Sequence, residues 1–239
     1  MRNKLCGYVI DSVDYSDNDS IVTILSSDGL VSLRAKGRKK ANSKMNALLY
    51  NYSYGEFEVY KSEKNGYLTL LDGSLLNYPS YVIESLDYMS IMGIVSEGIN
   101  RCQDSTIAFE GFKNCLSLME KKVDPKMILV AFINFMLEDN GVMYESDSCI
   151  NCGNKHVIDF DFDKGGFLCS NCTSSKKDIS YLKEIRIMTK TNFTNADKVN
   201  MNGSIVSSYC KHGFEELENK CGIFFKGKDF LFKILKMEG

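Results

Sequence analysis

The chain has 239 residues, is 44% hydrophobic and 25% charged, and carries a net charge of −2. These proportions fit a globular protein of one large or two to three small domains and exclude a disordered or collagen-like chain. No global positive field announces nucleic acid, and no apolar run approaches the roughly 20 residues of a membrane span.

Taken in order, residues 5–13, 20–26 and 30–34 alternate like strands, with Ser27-Asp28-Gly29 as the turn between the second and third. Residues 50–60 and 66–74 follow as two aromatic-rich strands joined by Lys61–Asn65. Five short strands in a row predict a small closed barrel. The oligonucleotide-binding (OB) barrel is the common five-stranded case, although strand counting alone admits another small barrel. Pro79 marks the boundary to helical patterns at 80–101, 105–121 and from Asp124-Pro125 to Asn140-Gly141, where Asp124 is an N-cap, Pro125 the first helical residue and Gly141 the stop. Further helices are predicted at 179–190, 203–219 and 226–237. The fold class expected is therefore α+β and multidomain. Its pieces are an OB barrel over 1–78, a helical domain over 79–147 and 178–239, and a small inserted module over 148–177.

That module holds the sharpest motif. Cys149 and Cys152 form one Cys-x-x-Cys pair and Cys169 and Cys172 a second, with 16 residues between them. This lies inside the roughly 15–20 residue window of a two-knuckle zinc site. Two such turns supply four thiolates for one tetrahedral ion, so a single structural zinc is expected. His156 is read as a nearby surface residue, since four sulfurs already suffice. The alternating Val157 to Phe162 and the turn Asp163-Lys164-Gly165-Gly166 predict a hairpin between the knuckles, with Asp159, Asp161 and Asp163 along one exposed face. The other five cysteines, Cys6, Cys102, Cys115, Cys210 and Cys221, are scattered and odd in number. They fit reduced thiols better than a disulfide framework. The N-terminus runs into a strand pattern rather than a signal peptide, so a cytoplasmic protein is expected.

From Gly29 to Gly55 there is no acidic residue, whereas Arg34, Lys36, Arg38, Lys39, Lys40 and Lys44 fall inside that window. Cations on mobile stems without competing carboxylates are what phosphate contacts need, and Gly37 lets a backbone approach. Arg34, Lys36, Arg38, Lys39, Lys40 and Lys44 are therefore the expected DNA-binding residues. Tyr50, Tyr52, Tyr54 and Phe57 alternate nearby. They are placed on the inner face of a strand, with base stacking as the alternative. Lys226, Lys228, Lys233 and Lys236 near the C-terminus are read as helix-end lysines. Catalysis has little support. No Gly-x-x-x-x-Gly-Lys loop occurs, and His156 and His212 have no nucleophile partner in the sequence.

The order of these parts, with Gly29 to Lys40 (a Gly-x-x-Ser-Leu-Arg-Ala-Lys-Gly-Arg-Lys-Lys segment) after strand three and Cys149, Cys152, Cys169 and Cys172 inside the helical part, resembles the bacterial recombination mediator family RecO over essentially the full length. The resemblance implies a non-enzymatic, nucleoid-associated protein of DNA repair and recombination. Such a protein binds single- and double-stranded DNA and anneals complementary strands. It would work with RecR and with the acidic C-terminal tail of single-stranded-DNA-binding protein, so that RecA loads on coated DNA. The competing expectation is a zinc-ribbon adaptor that meets only protein partners.

Overall fold

The computed structural model describes residues 2–40, 42–63, 66–201 and 203–237. The chain separates into two compact units. One comprises Met1–Glu84 with Gln103–Lys113, and the other Ser85–Cys102 with Asn114–Gly239.

The first unit is a closed five-stranded barrel. Its strands are β1 (Arg2–Asp14), β2 (Ser20–Ser26), β3 (Gly29–Ala35), β4 (Tyr54–Lys61) and β5 (Leu68–Asn77). They close in the order β1-β2-β3-β5-β4, the OB arrangement. β1 is long enough to serve two neighbours. Its first half pairs with β4, its second half with β2, and the register shifts between Val9 and Asp11. A bulge of this kind turns one strand from one side of a barrel to the other. A short parallel match, Leu33 with Leu68 and Arg34 with Thr69, seals β3 to β5. Val9, Val22, Ile24, Leu33, Phe57, Val59 and Leu70 fill the interior. Helix α1 (Lys44–Leu48) inserts Leu48 and Leu49 into that core. A Cβ on Gly73 would lie 2.6 Å from Glu56 O and 2.9 Å from Leu48 Cδ2, so β5 carries no side chain where it passes α1.

In the second unit, α3 (Leu86–Ile99), α5 (Pro125–Asp139), α6 (Ile179–Lys190), α7 (Ser204–Cys221) and α8 (Lys228–Ile234) form a helical body. It also takes in the second half of α4 (Ser105–Glu120). Helix α5 is buried on nearly all sides, with Met127–Val130, Phe132, Ile133, Met136 and Leu137 in the core. Its start follows the sequence signal, because Asp124 accepts the Lys126 N–H at 2.8 Å and Pro125 needs no partner. Within this apolar helix, Asn134 donates to Met188 O and Thr191 O, both at 2.7 Å, and accepts from the Tyr209 hydroxyl at 2.6 Å. Buried polar groups are tolerated when paired in this way. The hairpin β6 (Val157–Asp161) and β7 (Gly166–Cys169) is inserted between α5 and α6.

Several boundaries differ from those expected. The single helix at 80–101 is broken into α2 (Ser80–Ile83) and α3, because Ser85 leaves the helical conformation and its Oγ accepts the Tyr88 N–H at 3.3 Å. A serine N-cap restarts a helix where apolar spacing alone shows no interruption. The strand expected from residue 50 begins at Tyr54, since Tyr52 takes φ +68°. Among the described residues no helix is long and apolar enough to cross a membrane.

Candidate metal centre and nucleic-acid interface

The four sulfurs of Cys149, Cys152, Cys169 and Cys172 all lie within 4.8 Å of one another. Each pair sits on a tight turn. Gly153, at φ +74°, donates its N–H to Cys149 O at 2.8 Å, and Thr173 N–H reaches Cys169 O at 3.1 Å. Cys152 Sγ and Cys169 Sγ are 3.5 Å apart. That is far beyond the ~2.05 Å of a disulfide and close to the ~3.8 Å edge of a tetrahedron with metal–sulfur bonds of ~2.3 Å. All nine cysteines are free thiols. The cluster therefore matches a closed four-thiolate shell. His156 is exposed and outside the four-sulfur group.

The electrostatics agree with this chemistry. Burial pushes the Cys149 thiol up, but backbone hydrogen bonds from Cys169, Asn151 and Cys152 outweigh it and bring it to about 6. Cys172 goes the other way, to about 12, because it shares protons with Cys152 and Cys149. Four thiols this close cannot all ionise unaided. A divalent cation removes that obstacle by binding thiolates in place of protons. Little else holds the module together, for its own core is Cys149, Leu168 and Cys169 with Val157 and Cys172 against it.

The remaining anchors come from the helical body. Glu145 exchanges backbone bonds with Gly165 and Phe167. A Cβ on Gly166 would lie 2.7 Å from Glu145 O, so this crossing requires glycine. The Arg186 guanidinium lies 4.7 Å from the Phe167 ring centre and donates to Ser146 O at 3.1 Å. Asp159, Asp161 and Asp163 do not share one exposed face. Asp159 is only 5% exposed, and its carboxylate accepts the Phe160 N–H at 2.9 Å. The register shift between Val157 and Asp159 breaks the expected alternation.

On the barrel, the basic segment folds back over the β1–β2 turn. Asp19 Oδ2 accepts from Arg34 Nε at 3.0 Å and Nη2 at 2.6 Å, and Asp19 Oδ1 accepts the Gly37 N–H at 2.9 Å. Lys39 Nζ reaches Asp14 at 2.8 Å. Arg38 is half-buried and donates to Ser12 Oγ and, at 2.8 Å, to Leu49 O. The absence of acidic residues between Gly29 and Gly55 did not reveal these partners, because Asp14 and Asp19 lie earlier in the chain. Lys36, Lys40 and Lys44 are exposed and, among the described residues, have no carboxylate at ion-pair distance.

The aromatic residues are also rearranged. Phe57 faces the barrel interior, whereas Tyr54 faces out against Tyr8, with ring centres 4.8 Å apart. Tyr50 lies against Tyr78, and Tyr52 is near Phe112. Two exposed tyrosines that the sequence did not single out flank the cations instead. Tyr15, 59% exposed, lies beneath the Arg34 guanidinium at 5.1 Å. Tyr67, 72% exposed, immediately precedes β5, whose first residues Leu68 and Thr69 pair with Leu33 and Arg34. Only barrel closure brings these segments to one end.

Comparison with known proteins follows the same division. The family model described as Recombination protein O N terminal matches residues 1–79, and that described as Recombination protein O C terminal matches residues 88–207. The chain belongs to the recombination protein O family. Among RecO relatives, the DNA repair protein RecO of Mesoplasma florum is 28% identical over 236 residues, covering 92% of this chain and 87% of its own. The protein of the same name from Bacillus pumilus is 29% identical over 180 residues, covering 73% and 70%. That from Bacillus subtilis is 27% identical over 178 residues, covering 72% and 69%. Membership in RecO places this chain in DNA repair and recombination.

Proposed function

We propose that this protein is a recombination mediator that binds single- and double-stranded DNA, anneals complementary strands and helps load RecA onto DNA coated with single-strand-binding protein. The observation that carries this reading is the exposed set Lys36, Lys40 and Lys44 beside Arg34 and Lys39 on a closed OB barrel. Two strands repel until cations lie between them, so annealing calls for neutralised phosphates rather than catalytic groups. Tyr15 and Tyr67 add faces on which unpaired bases stack without sequence preference. The protein acts by binding, not by catalysis.

In this reading residues 1–78 hold DNA, and 148–177 fold around one structural zinc held by Cys149, Cys152, Cys169 and Cys172. Zinc suits four thiolates in a tetrahedron, and a closed shell leaves no position for an activated water. Residues 79–147 and 178–239 form the body that meets RecR and the acidic tail of single-strand-binding protein in the cytoplasm, at the nucleoid.

The test is annealing of two complementary fluorescent oligonucleotides, bare and coated with single-strand-binding protein, at low and moderate salt. Salt-sensitive acceleration that persists on coated strands is expected. No acceleration by folded, metal-loaded protein would reject the mediator reading in favour of a protein-only adaptor.

A further inference from the structure

Helix α7 carries a polar stripe, of which His212 stacks on Phe162 with ring centres 4.0 Å apart, and Ser208 and His212 also border a neighbouring cavity lined by Asp159, Asp161 and Asp163. Ser204, Ser207, Ser208, Lys211 and His212 recur at the spacing of one helix face, while Val206, Tyr209, Cys210, Phe214 and Leu217 are buried. The stripe borders a cavity of about 500 Å³. Lys126, at the start of α5, and Lys236 and Met237, after α8, line it as well.

Both outer lysines are held in place by their backbones. Asp124 caps the turn that carries Lys126, with its carboxylate accepting the Lys126 N–H at 2.8 Å. Beyond α8 the chain closes a left-handed turn, with Lys236 N–H on Lys233 O at 3.2 Å and Met237 N–H on Phe232 O at 2.9 Å. Among the described residues no carboxylate lines the cavity, and none lies at ion-pair distance from Lys126, Lys211 or Lys236. Elsewhere in the same unit Lys190, Lys220 and Lys228 are each paired with an acid, so this grouping is not the rule there.

Three lysines line one cavity with, among the described residues, no acid paired to any of them, which favours an anion there. Three serine hydroxyls add donors to the same space. Lysine and hydroxyl donors without a competing carboxylate are the contacts made to backbone phosphates. An acidic peptide would also satisfy the lysines, but it needs an apolar floor for its side chains, and here Met237 alone supplies one among the described residues. A base adjoining the bound phosphates has a surface nearby. Lys211 and Met237 also line a second cavity, of about 720 Å³, whose wall includes Phe232 together with Lys228, Lys233 and the acids Glu215 and Asp229.

We infer that this groove of the helical body is a second phosphate-backbone site, which holds a nucleic-acid strand independently of the barrel. The inference rests on the annealing function proposed above and supplies what annealing needs, a place for each of two strands on one protein.

The test counts strands. The full, metal-loaded chain is titrated with an oligothymidylate of about 12 nucleotides, and the complexes are counted by native mass spectrometry. Wild type is expected to take two strands per chain. The groove variant Lys126→Gln/Lys211→Gln/Lys236→Gln should take one, with its lost site weakened roughly a hundredfold at about 0.1 M salt for three contacts removed. The barrel variant Lys36→Gln/Lys40→Gln/Lys44→Gln should also take one, held by the groove. Amine-reactive footprinting of wild type needs no variant and should show Lys126, Lys211 and Lys236 protected at saturation. A groove variant that still takes two strands, or unprotected amines at saturation, overturns the site. So does a groove variant that keeps both strands and loses only an aspartate-rich peptide, which would assign the groove to a protein tail. One strand held by the barrel alone removes this site and leaves the mediator reading standing. No strand bound at all removes both.

Discussion

Asp19, in the β1–β2 turn, and Arg34, near the end of β3, are locked together, with the Asp19 carboxylate accepting from both Arg34 Nε (3.0 Å) and Nη2 (2.6 Å). The same carboxylate takes the Gly37 N–H, so one acid sets the course of the whole basic segment. Gly37, at φ +66°, adopts a conformation that favours glycine, and this carboxylate secures the turn.

The pH dependence follows from that carboxylate. The Gly37 N–H, and after it Arg34, hold Asp19 below the ordinary carboxylate range. A depressed acid contributes stability above its unfolded-state value and loses it as the pH falls through the folded-state value. The protection factor of the Gly37 amide should therefore be constant through neutral pH and drop below the ordinary carboxylate range. Asp19→Asn should show the reduced protection already at neutral pH. Equal protection in both proteins would detach Asp19 from the segment.

Salt titration separates bound from available cations. Lys36, Lys40 and Lys44 alone predict a slope of log K against log salt of roughly −2 on single strands, whereas all six cations of the segment predict roughly −4. Because Arg34, Arg38 and Lys39 already have partners, the slope should lie near the smaller figure. In Asp19→Asn the freed Arg34 should steepen it by about 0.7. A slope near zero would take the segment out of the DNA-binding account.

Arg38 is a structural member of the basic run. Arg38→Ala leaves the Leu49 carbonyl, at a residue with no exposed surface, without its donor. Urea denaturation should show a loss of about 1–3 kcal/mol. Lys40→Ala, at an exposed position, should stay within about 0.5 kcal/mol. Equal stability of the two variants would contradict this division of roles.

Metal removal should act on one module. If the cysteines hold the proposed zinc, chelation, or Cys152→Ser, should remove one metal ion per chain and lower the melting temperature. It should also flatten the near-ultraviolet circular dichroism of Tyr144, Phe160, Phe162 and Phe167, which pack edge to face with centres 4.9–5.7 Å apart. The helical signal should largely remain, because the cores of α5 and α7 lie outside the cysteine cluster. Metal-free protein with an unchanged aromatic signal would mean that the cysteines do not hold the module.

Patterns confined to a few neighbouring residues were legible in the chain itself. The Cys-x-x-Cys pairs, the Asp124-Pro125 helix start and the alternating apolar residues of β2 and β3 each state their own geometry, because turn, cap and pleat are set by local backbone sterics. The break at Ser85 was hidden, since a serine inside apolar helical spacing announces a cap only once the chain has turned there. The buried position of Asp159 was hidden because one bulge in β6 reverses which side each later residue faces.

The sequence by itself determined the barrel strands and most helices, the pairing of four cysteines in two knuckles and the presence of six cations in one short window. Tertiary structure alone decided which of those cations are available. Pairing of β1, β2 and β3 brings Asp14 and Asp19 against Lys39 and Arg34, the segment after β3 seats Arg38 on Leu49 O, and Lys36, Lys40 and Lys44 are left in solvent. Charge composition is a property of the chain, but pairing depends on distances of a few ångströms between residues that only the folded sheet brings together.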